Sequence, residues 1–138
     1  LMFAIGMFIV PLVIGENYSL PSINLEIIIT TIICSLSATS FGLLVTSLSK
    51  SSDQASTLGA LSITIMALLG GVMIPHFIMP TFMQKISFIS PLYWGLDAYL
   101  NIFLNNFSLI ELFPNLLVLL IFSTLFFLIS LKNFAWEQ

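Results

Sequence analysis

Arginine is absent from this chain, and its three lysines stand against six carboxylates, for a net charge of -3. Without a basic face there is nothing to neutralise a phosphate backbone, so nucleic acid is excluded as a partner, and no polybasic stretch exists to dock on anionic headgroups. Charged residues of both signs make up only 7% of the 138 residues, where a soluble domain carries about a quarter. A water-facing surface cannot be built from so few. Cys34 is the single cysteine and sits inside an apolar run, where a disulfide or metal cluster has no partner; it reads as a small packing residue. His76 is likewise alone, with no second His, Cys or carboxylate at ligand spacing, and reads as an interfacial polar residue rather than a metal ligand. No glycine precedes a lysine, so the phosphate-cradling Gly-x-x-x-x-Gly-Lys-Ser/Thr loop is missing and this chain binds no nucleotide itself. No paired nucleophile and base, and no pair of carboxylates at depth, suggests an intramembrane enzyme.

What is present is oil. Hydrophobic residues make up 59% and the mean hydropathy is +1.14, which defines an all-α membrane protein with room for four or five spans of about 20 residues and no soluble domain. Leu1 to Ile14 is an apolar run without a basic leader or start methionine. It reads as the end of a span in a longer protein, not as a signal peptide. A polar loop from Gly15 to Ser22 follows. The second span, residues 26–48, contains an uncharged run from Ile27 to Leu48 of about 22 residues. Within it Thr31, Ser35, Ala38, Gly42 and Thr46 fall at helical spacing on one face. Small residues there let another helix approach closely, which makes the stripe a packing seam, with a polar substrate groove as the alternative. Ser47 to Thr57 is the most hydrophilic segment and must lie in water. A third span is expected over residues 58–74, and a last uncharged run, Phe113 to Leu131, crosses with about 19 residues. Glu26 and Glu111 sit beside span ends where carboxylates reach water. Lys50 and Lys132 follow the second and last runs and mark the cytoplasmic side, with Lys85 outside.

Between the last two spans, residues 70–103 are apolar yet broken by Pro75, Pro80 and Pro91, each of which removes a backbone donor and clashes with the preceding turn. Pro80 suits the first turn of a short amphipathic helix in which Met79, Phe82, Met83, Ile86 and Ile89 share one side. Ser90-Pro91 opens a second short helix, where Tyr93, Trp94 and Tyr99 suit the headgroup level. The expected element is a re-entrant or interfacial helical hairpin over about residues 78–103, which makes the architecture a polytopic transmembrane helical bundle with that hairpin before its last span. Asp97 is the only acid inside it. At membrane depth it would signal function; at the interface it is a helix-surface residue.

A span ending in Gly70-Gly71, then Ile74-Pro75, Met79-Pro80, an amphipathic turn, then Ser90-Pro91-Leu92-Tyr93-Trp94 and a final span resembles the C-terminal half of an ABC-2 type transporter permease. In that family six spans run with both ends in the cytoplasm, and two short re-entrant helices lie outside between the fifth and sixth. The runs here would be spans three to six, in agreement with the lysines. The resemblance implies a second permease subunit, as homodimer or heterodimer, and cytoplasmic ATPase subunits that hold ATP and magnesium while this chain binds no cofactor. It implies export across the plasma membrane, the bacterial cytoplasmic membrane, by a multi-pass protein surrounded by lipid. The family's cytoplasmic contact maps onto Ser47 to Thr57, so Lys50, Asp53 and Gln54 are candidates for docking the ATPase; the alternative is an ordinary solvated loop. A secondary transporter or channel, not coupled to ATP, is the competing function, but it needs coupling charges or a carbonyl-lined filter within the spans.

Overall fold

The computed structural model describes residues 25–74, 78–105 and 107–134. The expected first span, residues 1–14, the site candidate Pro75 and His76 lie outside these. Five helices make up the described chain: α1 (Leu25–Leu48), α2 (Ser52–Leu69), α3 (Thr81–Ser87), α4 (Pro91–Asn105) and α5 (Leu109–Phe134). No strand occurs among the described residues. Two of the helices, Leu25–Leu48 and Leu109–Asn133, are long and apolar enough to cross a membrane. Only 22% and 28% of their apolar windows are buried inside the fold, whereas the core helix of a soluble protein is mostly covered. Apolar helices this exposed are those of a helical membrane protein.

Helix α1, with 24 residues, is about 36 Å long. It lies against α5 along much of its length. Ile27 clusters with Leu112 and Leu116, the hydroxyls of Ser40 and Ser123 meet at 3.0 Å, the rings of Phe41 and Phe126 stand edge to face at 5.5 Å, and Ser130 Oγ donates to the Leu43 carbonyl at 3.1 Å. Residue numbers rise together on both sides of the contact, so the two helices run parallel. Their ends, followed by Lys50 and containing Lys132, share one end of the bundle.

The seam lies on a different face from the stripe that spacing suggests. Thr30, Ser37 and Ser40 are the buried polar positions of α1, while Ser35, Ala38, Gly42 and Thr46 are exposed and a Cβ at Gly42 would meet nothing within 4 Å. Of the expected stripe only Thr31 reaches another helix, through its hydroxyl to the Tyr99 phenol at 2.8 Å. The α1–α5 contact is therefore turned away from the stripe: Thr30 and Ser37 each precede a stripe residue by one position, about 100° around the helix. Both faces carry small residues; α5 settles on the one where serines can pair with serines.

Helix α2 also begins earlier than expected. The polar connection shrinks to residues 49–51, and residues 52–57 are helical. The cause is a cap. Ser51 is extended (φ -148°, ψ 159°) and its hydroxyl accepts from the Gln54 amide at 3.3 Å, while Gln54 Oε1 accepts from the Lys50 amide at 2.9 Å. This Ser-x-x-Gln pairing is a capping box reaching one residue further back. A second cap starts α5 at Leu109, ahead of the expected Phe113. Ser108 donates to the Glu111 carboxylate from its amide at 2.8 Å and from its hydroxyl at 2.9 Å. Pro114 falls in the second turn of α5, where it removes one backbone donor but does not end the helix.

Candidate functional site

The site grows out of the end of α2. Gly71 takes φ 83°, a left-handed conformation that a Cβ penalises, and the Val72 amide donates back to the Ala67 carbonyl at 3.2 Å. That long backbone bond around a left-handed glycine is the Schellman stop. The helix ends at Leu69, and the expected run to Ile74 does not form as helix because glycine releases the chain first. Gly70 has a different task. A Cβ there would lie 2.8 Å from the Met66 carbonyl oxygen and 3.0 Å from both Leu92 Cβ and the Tyr93 amide, so hydrogen alone lets α4 abut the end of α2. Ser90 Oγ fastens the joint by donating to that same Met66 carbonyl at 3.0 Å.

The depth of this joint follows from α1. Tyr99 meets Thr31, a Cβ on Gly95 would lie 3.4 Å from Cys34 Sγ, and Ala98 and Ile102 cluster with Ile27. Numbers fall on α1 as they rise on α4, so α4 runs antiparallel to α1 from about the level of Cys34 outward. Cys34 lies about 14 Å from the start of α1 at 1.5 Å per residue. Helix α2 climbs from the Lys50 end to that level and stops, and α4 resumes there toward the far end, with residues 70–90 inserted between. The joint between α2 and α4 thus lies within the length of α1 and not at the end of the bundle.

Backbone freed at a break between apolar helices must find partners elsewhere in the protein. Gln84 Nε2 donates to the Met79 carbonyl at 2.9 Å, Ser87 Oγ to the Gln84 carbonyl at 2.7 Å, and Trp94 Nε1 to the Phe88 carbonyl at 2.9 Å. The rings of Phe88, Tyr93 and Trp94 close over the turn, with centroids 4.9 to 5.9 Å apart. Tyr93 and Trp94 thus stitch the break together. Pro80 stands as the N-cap of α3 and Pro91 is the first residue of α4, positions where a missing amide costs little. Beside the joint is an open-sided cavity of about 200 Å³ lined by Cys34, Ser37, Phe41, Ile63, Met66 and Leu92, among others. It is almost wholly apolar.

Asp97 is half-buried and does more than occupy a helix surface. Its Oδ2 accepts from Asn101 Nδ2 at 3.0 Å and from Asn115 Nδ2 on α5 at 2.8 Å, and Asn105 Nδ2 donates to Asn101 Oδ1 at 3.0 Å. Three amides therefore join the carboxylate in a polar cluster between α4 and α5. These asparagines were not singled out from the sequence, although Asp97, Asn101 and Asn105 recur every fourth residue in an otherwise apolar stretch. Asn115 carried no comparable signal. At the opposite end of the bundle Lys50, Asp53 and Gln54 are exposed, but the Gln54 side chain is engaged in the cap of α2. Among the described residues no group of three or more His, Cys, Asp or Glu is placed to hold a metal ion.

Broken helices within a bundle are a recurring feature of membrane transport components. The family model of the ABC-2 type transporter matches residues 1–104, and the chain belongs to that family. The protein is accordingly a membrane permease of the ABC transporter kind, and the resemblance carried by the Gly-Gly, proline and Tyr-Trp elements is borne out. No curated protein and no solved structure matches the chain.

Proposed function

We propose that this chain is the permease subunit of an ATP-driven exporter in the plasma membrane, crossing it several times and forming the translocation path with a second permease subunit. A cytoplasmic ATPase supplies ATP and magnesium. The observation that carries the reading is the break at Gly70, in a chain of the ABC-2 type family. A crossing built from two stacked half-helices has a joint that can bend without tearing a continuous hydrogen-bond ladder, as alternating access requires.

The end of the bundle bearing Lys50 and Lys132 faces the cytoplasm. There the tight α1–α2 turn presents Lys50 and Asp53 to the ATPase, while Gln54 shapes the turn. Charge reversal at both, Lys50→Glu with Asp53→Lys, lowers the ATP turnover of the full-length permease purified with its ATPase by about fivefold, the lower end of coupling between linked sites. Unchanged turnover would remove these residues from the contact. Transport that proceeds in vesicles without any ATPase would replace the whole reading with that of a secondary transporter or channel.

A further inference from the structure

Helix α4 touches α1, α2 and α5; against α5 the apolar contact of Ala98 and Ile102 with Leu112 and Leu116 is joined by one polar group. Asn115 is 8% exposed and sends its Nδ2 across to Asp97 Oδ2 at 2.8 Å. Asn101 donates to the same oxygen from within α4, and Asn105 donates to Asn101 behind it. No lysine occurs in α4, so amide dipoles balance this carboxylate. Hydrogen bonds to a charged acceptor are stronger and shorter than neutral ones. Because both donors end on one oxygen, removing the charge weakens the bond within α4 and the bond between helices together. It also leaves the buried Asn115 amide facing a poorer acceptor.

The other end of α4 is tied to the break. Ser90 Oγ holds the Met66 carbonyl, and Leu92 and Tyr93 abut Gly70 closely enough that no Cβ fits between them. Helix α4, with 15 residues, is a rod about 22 Å long, pinned at its start to α2 and along its length to α5. We propose that Asp97 is the positioning residue that makes α4 and α5 move as one body, so that a displacement of the last span reaches the joint at Gly70. The function of the carboxylate is to couple the two elements. Exchanging it with its amide partner preserves that function, because the interface needs one carboxylate facing amides and not a carboxylate on a particular helix.

That symmetry supplies the test. In the full-length protein with Cys34→Ser, spin labels are placed at Leu104→Cys on α4 and Leu128→Cys on α5, both exposed, and their distance distribution is measured by double electron–electron resonance in lipid nanodiscs. The parent shows one narrow distribution. Asp97→Asn broadens it by removing the anion. Asn115→Asp broadens it too, by setting two carboxylates against each other. The double exchange, Asp97→Asn with Asn115→Asp, narrows it again. If a single variant fails to fold, recovery of folding in the double exchange is the same result. A double exchange as broad as the singles, or singles as narrow as the parent, overturns the proposal.

A second readout rests on the transport reading. ATP turnover of the complex with its ATPase falls about fivefold or more in each single variant and recovers in the double exchange. Failure to recover turnover while the narrow distance returns would also overturn it, since the rigid pair would then carry no coupling. Absence of an ATPase partner would sink the transport reading and leave the distance measurement to decide the clamp.

Discussion

Two adjacent glycines at the end of α2 show how one residue type serves two physical needs. Gly71 is required by its backbone, since φ 83° costs a side-chain-bearing residue about 1–2 kcal/mol. Gly70 is required by space, since a methyl group would press on the backbone of both α2 and α4. Gly71→Ala therefore lowers stability by about 1–2 kcal/mol with the joint retained. Gly70→Ala pushes the two helices apart, and its loss is accompanied by proteolytic opening between residues 70 and 90. Thermal unfolding in detergent combined with limited proteolysis separates the two outcomes. The same reasoning applies to Ser51, whose hydroxyl satisfies an otherwise orphaned amide. Ser51→Ala costs about 1 kcal/mol by loss of the cap, read from the same unfolding curves.

Among elements, the contact between α1 and α5 is made by small polar residues in an apolar setting. The hydroxyl pair of Ser40 and Ser123 is buried, yet such bonds between membrane helices average only about 0.6 kcal/mol because the separated helices find other partners. Ser40→Ala should cost about that much. Ser40→Leu should cost about 1–3 kcal/mol, since the added volume has nowhere to go. The exposed stripe of α1 gives the opposite expectation. Gly42→Leu, with open space around its Cβ, leaves the stability of the isolated permease within about 0.5 kcal/mol. Unfolding measured on all three variants ranks the two faces of the helix directly.

For the whole molecule, the parallel course of α1 and α5 fixes the arrangement of the ends. In a Cys34→Ser background, Lys50→Cys and Lys132→Cys react with a membrane-impermeant maleimide from one and the same face of oriented vesicles. Labelling of Lys50 and Lys132 from opposite faces would contradict the packing. Much of this architecture was legible beforehand. Proline and glycine break helices by local sterics, and those local rules marked the start of α3 at Pro80 and the start of α4 at Pro91, while the end of α2 was expected at Ile74 and falls at Leu69. The two caps were legible in principle, as Ser-x-x-Gln and Ser-x-x-Glu, but the apolar runs that follow them drew the boundaries inward by several residues.

The face of α1 chosen by α5, the depth of the break and the partner of Asp97 were not legible, for one reason. In a soluble protein an apolar face means inside, but in lipid every face of a span is apolar and hydropathy carries no inward direction. Membrane character, helical class, the positions of the breaks and membership of a transporter family followed from the order of residues alone, because each depends on neighbours in the chain. The seam joining Ser130 to Leu43 spans 87 positions and the bond from Asn115 to Asp97 spans 18. Such pairings depend on which helices finally lie side by side, and only the tertiary structure decided them.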